Sequence, residues 1–170
     1  SRASHQGSDW LTRVQNRDGG IPTFCRGWGR LPFDRSSPDL TAHAIAAWQV
    51  WISGKPDAAV NRMRAARERA LRYLANSQRP DGAWFPLWFG NENAAGQRNP
   101  TYGTSRVLQA LSRLSDAPLF ARAGVNWLLN AQHDDGGWGG DANSPASIEE
   151  TSLGVDALAC YMSSAGPSDY

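Results

Sequence analysis

At 170 residues and 41% hydrophobic, the chain can bury one core, and eight tryptophans are a heavy aromatic load for that length. A formal net charge of +1 argues against a dedicated nucleic-acid surface, and the two cysteines, Cys25 and Cys160, make neither a disulfide framework nor a zinc site of recognisable spacing, so they read as free thiols of a reducing compartment. No apolar run approaches the ~18 residues of a spanning helix, the start shows no signal-peptide pattern, and the first methionine is Met63; a processed chain or a fragment of a longer protein is expected, and the fragment is favoured.

Three copies of one phrase organise the chain. Trp10-Leu11-x3-Gln15-x2-Asp18-Gly19-Gly20-Ile21 recurs as Tyr73-Leu74-x3-Gln78-x2-Asp81-Gly82-Ala83-Trp84 and as Trp127-Leu128-x3-Gln132-x2-Asp135-Gly136-Gly137-Trp138. A repeat of this length means stacked copies of one structural unit. In each copy the residues before the Gln carry an apolar stripe at helical spacing, and Asp-Gly then ends the helix, because glycine adopts the left-handed conformation and Asp supports the turn.

In chain order, the first phrase closes one helix, and Ser37 followed by Pro38 reads as an N-cap with proline at the first helical position. Thr41, Thr104 and Thr151 each open a further apolar helix, 26, 26 and 19 residues after the Gln. Another helix is predicted over about 57–77, carrying Arg62, Arg64, Arg67, Arg69 and Arg72 as a solvated basic face beside Glu68. The segment from Pro118 to Ala131 supplies one more, and Ser147-x-x-Glu150 is a capping box before Leu153, Val155 and Leu158. Stops fall at Gly54 and Gly166. No stretch shows sustained β alternation, so the chain reads as all-α, a single domain over 1–170 with repeats at about 7–54, 57–114 and 118–166.

Written out as Arg69-Ala70-x2-Tyr73-Leu74-x3-Gln78-x3-Gly82-x-Trp84, the repeat resembles the QW motif of squalene and oxidosqualene cyclases, with Ile21 standing in the Trp place of the first copy. Between the motifs, Phe33-Asp34, Pro38-Asp39-Leu40-Thr41-Ala42-His43, Trp88 and Tyr102-Gly103-Thr104 occur in the order of the C-terminal third of bacterial squalene-hopene cyclases, and the likeness covers about Trp10 to Tyr161. The resemblance implies a partial α/α toroid and a parent protein that performs class II terpene cyclisation, started by a proton, with no metal and no organic cofactor. It implies a polyprenyl or triterpene hydrocarbon substrate, no nucleic acid, and the N-terminal part of the parent toroid as partner, with self-association through the open flank as a further expectation. It also implies a cytoplasmic location, with peripheral attachment to the cytoplasmic membrane face as an open alternative. The Asp-x-Asp-Asp acid of the family is absent from this chain, so the chain alone is expected to be inert.

For Gln15, Gln78, Trp84, Gln132 and Trp138 the expected role is structural: the Gln side chain joins a helix end to the neighbouring helix while the ring covers it. Polyene cyclisation needs electron-rich ring faces and exclusion of water. Phe24, Trp28 and Phe33 sit in the first inter-helix loop, and Trp84, Phe85, Trp88, Phe89 and Tyr102 in or at the end of the second. By resemblance Phe24, Trp88 and Tyr102 line the substrate cavity; the plain alternative is that they pack the loops onto the helices. His43 and Asp39 are the candidate catalytic residues. Their i, i+4 spacing puts both on one helix face, and in the family the matching His contacts the aspartate cluster, where a protonated His strengthens one carboxyl as proton donor. A lone His on an amphipathic helix is otherwise a satisfied polar group.

Two departures from the hopene cyclases stand out. The stretch between Trp88 and Tyr102 is several residues longer, and the third unit has a shortened loop. A substrate other than squalene, or a repeat protein kept for binding, are the alternatives these raise. A prenyltransferase would need an Asp-x-Cys zinc arrangement that is missing, and a glycan-processing toroid would need facing acids, whereas Glu149 and Glu150 lie at a helix cap.

Overall fold

The computed structural model describes residues 2–27, 31, 33–52 and 57–164. Two compact units divide the chain, Ser1–Ser77 and Gln78–Tyr170. The first holds three helices, α1 (Arg2–Val14), α2 (Pro38–Ile52) and α3 (Ala58–Ser77), with a short antiparallel ladder of β1 (Ile21–Pro22) and β2 (Ser36–Ser37) in which Ile21 faces Ser37 and Pro22 faces Ser36. The second holds a 3-10 turn (Ala95–Gln97) and helices α4 (Pro100–Leu111), α5 (Ala121–Ala131) and α6 (Ile148–Ser164). The all-α expectation is borne out.

In the first unit α2 lies against α3, and the core is Ile45, Trp48 and Ile52 from α2 with Val60, Met63, Ala66, Ala70 and Leu74 from α3. The small residues Ala66 and Ala70 let the two helices approach. In the second unit α4 packs on both α5 and α6, burying Val107, Leu108 and Leu111 with Val125, Leu128, Ala157 and Tyr161. The units are offset from the sequence repeats for a physical reason: α3 opens the second repeat but packs on α2, the helix that ends the first.

Helix starts follow their caps. The Asp57 carboxylate accepts from Val60 N–H at 2.8 Å to open α3, and Asn99 Oδ1 accepts from Tyr102 N–H at 3.0 Å with Pro100 at the first helical position of α4. Ser147 and Glu150 form the expected box, Ser147 Oγ accepting from Glu150 N–H at 3.1 Å. Helices α2 and α6 start at the expected Ser37-Pro38 cap and Ser147 box, so Thr41 and Thr151 lie within their first turn rather than opening them; α4 differs from expectation, opening at Pro100, four residues before Thr104. The helix predicted over Pro118–Ala131 opens at Ala121. Gly54, Gly166 and Trp28 lie outside the described residues.

The threonines take a different part. Thr41 Oγ1 accepts from Ile21 N–H at 2.9 Å, Thr104 Oγ1 from Trp84 N–H at 3.1 Å and Thr151 Oγ1 from Trp138 N–H at 3.0 Å. Each hydroxyl thus pins the end of its own Gln-Asp-Gly turn to the first turn of the next helix.

Within the turns the Gln side chain bridges. Gln15 Nε2 donates to the Gly19 and Ala66 carbonyls, both at 2.8 Å, and Gln78 Nε2 donates to the Gly82 and Phe120 carbonyls at 2.9 and 3.0 Å. Asp18, Asp81 and Asp135 each accept from the N–H two residues on, at 2.9, 3.1 and 2.9 Å. The central glycines, Gly19, Gly82 and Gly136, have φ of +93°, +99° and +88°.

A Cβ on Gly82 would stand 2.3 Å from the Ala123 carbonyl oxygen, whereas one on Gly136 would have no neighbour nearer than 4.0 Å. The two positions share a backbone conformation and differ in contact, so their Ala variants separate the two costs. Gly136→Ala is expected to cost about 1–2 kcal/mol, the strain of a left-handed residue. Gly82→Ala is expected to cost at least about 1 kcal/mol more, from overpacking. Paired urea titrations measure the difference, and equal losses would mean that the Ala123 contact is not held in solution.

Candidate functional site

His43 stands on α2 one turn after Asp39, and the two have different surroundings. Asp39 is buried and its carboxylate accepts from the Ser37 hydroxyl at the start of the same helix. Tyr73 is held protonated well above its ordinary range, by burial first and then by the negative charges of Asp18 and Asp39, so its phenol stays neutral in this setting. His43 is exposed and lines a cleft of about 230 Å³.

That cleft is apolar apart from Thr23 and the imidazole. Trp10, Leu11 and Val14 of α1 form one wall, Ile21 and Pro22 of β1 with Thr23 and Phe24 a second, and Leu40, His43 and Ala44 of α2 the third. The chain builds it from local rules: the Asp18-Gly19-Gly20 turn sends β1 back across α1, and Pro38 starts α2 so that Leu40 and His43 fall on the same side. Phe24 is 74% exposed, so its ring offers a free face rather than packing the loop shut. His43 is the one titratable side chain among the lining residues, surrounded by two aromatic rings and aliphatic carbon.

The second unit carries its own aromatic group. Phe89 stacks on Tyr102 with centroids 4.6 Å apart and planes 18° apart, and the Arg106 guanidinium lies 5.2 Å from the Tyr102 ring centre. Tyr102 is consequently 5% exposed, while Trp88 is 50% exposed. Arg79 and Arg98 lie 4.8 and 5.9 Å from the Phe85 ring centre. Of the rings expected to line a cavity, Phe24 shares a cleft with His43; Trp88 and Tyr102 belong to the second unit, where Phe89 roofs Tyr102.

Trp84 and Trp138 are both core residues. The Trp84 ring lies against Gly124 and meets Phe120 edge-on at 6.0 Å, and Trp138 Nε1 donates to the Leu128 carbonyl at 2.8 Å while its ring covers Gly154.

The long segment between Trp88 and Tyr102 is anchored by a carboxylate that sequence reading treats only as a cap. Glu150 Oε1 accepts from Asn91 Nδ2 and from Asn99 Nδ2, each at 2.9 Å, and Oε2 accepts from the Ser147 hydroxyl. Burial raises the pKa of this group, yet the hydrogen bonds from Ser147, Asn91 and Asn99 outweigh it and hold the carboxyl below its ordinary value of 4.5. With the folded-state value depressed, the unfolded chain binds the proton first. The stabilisation is therefore complete above the ordinary value and is lost as pH falls through the lowered one. Glu150→Gln is expected to cost about 1–3 kcal/mol and to flatten the acid limb of the stability profile. Thermal melts of both proteins from neutral to acid pH measure this; parallel profiles would rule out Glu150 as the anchor.

Sequence reasoning missed Trp10 and Leu11 as cleft walls because both belong to the repeated phrase and read as packing. It also missed Asn91, whose only signal is its place in the extended loop.

A helical-hairpin repeat locked by Gln-Asp-Gly turns, with an apolar aromatic cleft beside an imidazole, is an architecture suited to hydrocarbon chemistry. Over residues 1–159 the chain matches the squalene-hopene cyclase C-terminal domain, and it belongs to that family. It is 26% identical to the terpene cyclase-glycosyl transferase fusion protein fsoA of Humicola fuscoatra, over 99% of this chain and 14% of that protein. It is 33% identical to drimenyl diphosphate synthase of Streptomyces showdoensis, over 88% of this chain and 25% of the other. To the probable squalene-hopene cyclase of Sinorhizobium fredii it is 30% identical, over 82% of this chain and 22% of that protein. The chain thus spans a quarter or less of the length of these curated relatives.

Proposed function

We propose that this chain is the wall-forming C-terminal part of a class II terpene cyclase, and that it acts on a polyprenyl or triterpene hydrocarbon only together with a segment that supplies the protonating acid. The observation that carries this reading is the cleft around His43: aliphatic and aromatic walls, one imidazole, and no carboxylate among its lining residues. An alkene is protonated only by a strong acid in an apolar setting, and the sequence has no Asp-x-Asp-Asp. The isolated chain is therefore inert. The faces of Phe24 and Trp10 suit a passing carbocation, worth about 2 kcal/mol or more each where water is excluded.

In this reading His43 is a positioning residue. As imidazolium it would stabilise the ionised partner of a carboxyl pair and leave the other member the stronger donor. Asp39 supports it from the preceding turn of α2. Trp88 contributes its half-exposed ring, and Tyr102 becomes available to substrate when Phe89 moves aside. The protein works in the cytoplasm, at the membrane face where its substrate is dissolved.

A diazirine analogue of squalene tests the cleft. Irradiated with the longer protein, it is expected to label the peptide from Trp10 to Ala44, with competition by unlabelled squalene. Labelling confined to other peptides would overturn the assignment. One observation favours a second reading, a non-catalytic helical-repeat module: Tyr102 is covered by Phe89 rather than open. Under that reading no cyclic product forms even when the acid-bearing segment is present.

A further inference from the structure

One carboxylate oxygen holds both ends of the long segment between Trp88 and Tyr102. Glu150 Oε1 accepts from Asn91 Nδ2 and from Asn99 Nδ2, each at 2.9 Å, and all three residues are buried. A buried carboxylate is costly to strip of its donors, so this network fixes both ends of the segment to α6 at once. The ends also approach each other: a Cβ on Gly90 would stand 2.5 Å from the Gln97 carbonyl oxygen. Gln97 is the one non-glycine among the described residues with a left-handed backbone, at φ +52°. Such a conformation persists where the surroundings impose it. The segment is thus a strap set in one shape rather than a loose loop.

The anchor reaches the aromatic group of this unit through both asparagines. Asn99 Oδ1 accepts from Tyr102 N–H at 3.0 Å while Asn99 Nδ2 donates to Glu150, so one side chain ties the carboxylate to the first turn of α4. Asn91 stands two residues after Phe89, whose ring stacks on Tyr102 with centroids 4.6 Å apart. Glu150 therefore positions the covering ring and the covered ring together. The aromatic face offered here is that of Phe89, which is 49% exposed, and the buried Tyr102 lies one ring behind it.

We propose that Glu150, acting through Asn91 and Asn99, sets the length of polyprenyl chain that this wall accepts. It is a positioning residue: it keeps Phe89 over Tyr102, so the wall stands forward by the depth of the stack, comparable with the span of one isoprene unit, and a chain shorter than squalene is preferred. The proposal rests on the reading of this chain as the wall of a terpene cyclase. Releasing the anchor, or removing the Phe89 ring, sets the wall back and favours the longer chain. An apolar pocket discriminates by the room it leaves, and an isoprene unit is several methylenes of discrimination.

The test uses a longer protein in which this chain is joined to an Asp-x-Asp-Asp segment, with geranylgeraniol and squalene as substrates. Phe89→Ala, at a half-exposed site, is expected to raise kcat/KM for squalene relative to geranylgeraniol by about tenfold or more. Glu150→Gln should move the ratio in the same direction by a smaller factor. It should also raise nitration of Tyr102 by tetranitromethane about tenfold, the weight of one charged hydrogen bond lost. Gly136→Ala, which strains the same unit away from the strap, should leave both readouts unmoved. A ratio unchanged in Phe89→Ala, or shifted equally in Gly136→Ala, overturns the proposal and leaves the cyclase reading standing if the parent protein cyclises either substrate. Nitration of Tyr102 no faster in Glu150→Gln does the same. No cyclic product from the parent with either substrate removes the cyclase reading, and this proposal with it.

Discussion

His43→Ala in the longer, acid-bearing protein is expected to lower turnover by about two to four orders of magnitude, the range that a positioned proton-transfer system contributes. The fold should be unaffected, because His43 is exposed at the rim of the cleft and its ring is not part of the buried face of α2. A lost substrate contact alone would raise KM and leave kcat unchanged, whereas a residue that assists the acid lowers kcat with little change in KM. A His43→Lys protein, which keeps a cation of different reach, should recover part of the rate. Unchanged turnover, or a loss confined to KM with no recovery in the Lys variant, would remove His43 from the mechanism.

Trp84→Ala carries the largest expected cost in stability. Its ring is fully buried in the second unit, where the glycine at 124 makes room for it: a Cβ there would stand 2.7 Å from the ring edge. Removing the indole loses its transfer free energy and leaves a cavity, together about 3–5 kcal/mol. A domain of this size holds only about 5–15 kcal/mol in all, so the second unit should be largely unfolded at modest urea concentration. The converse substitution is milder: Gly124→Ala should cost about 1–3 kcal/mol by overpacking the same place. Equilibrium unfolding followed by tryptophan fluorescence and circular dichroism measures both. A Trp84→Ala protein within 1 kcal/mol of the parent would mean that the ring is replaceable by rearrangement of Leu108 and Phe120.

Much of this architecture could be read from the chain because its determinants are local. The Gln and the glycine whose carbonyl it binds are four residues apart, the Asp of each turn supports an N–H two residues away, and the apolar stripes of α3 and α5 repeat at helical spacing. The start of α4 was less legible, because Asn99-Pro100 was not read as a cap and Thr104 stood in for it. Thr41, Thr104 and Thr151 recur because each binds the main chain at the end of its turn, 20, 20 and 13 residues earlier.

The candidate site was legible only in part. His43 and Phe24 meet in one cleft, but the Trp10 and Leu11 walls become visible only once β1 folds back over α1. The Glu150 anchor joins residues 59 and 51 positions apart, and no spacing rule connects a capping-box Glu to two asparagines in a loop. Nor does the identity of Tyr102 disclose that Phe89 covers it; that follows from how the extended loop returns to α4.

The most direct measurement is product analysis by gas chromatography and mass spectrometry after incubation with squalene and with shorter polyprenyl substrates. The 170-residue chain alone should return the substrate unchanged. On the proposed function, a longer protein in which this chain is joined to an Asp-x-Asp-Asp segment should give a cyclic product that vanishes when that acid is replaced by Asn. Cyclisation by the chain alone, or no cyclic product from the longer protein with any of these substrates, would contradict the assignment of this chain as the acid-free wall of a terpene cyclase.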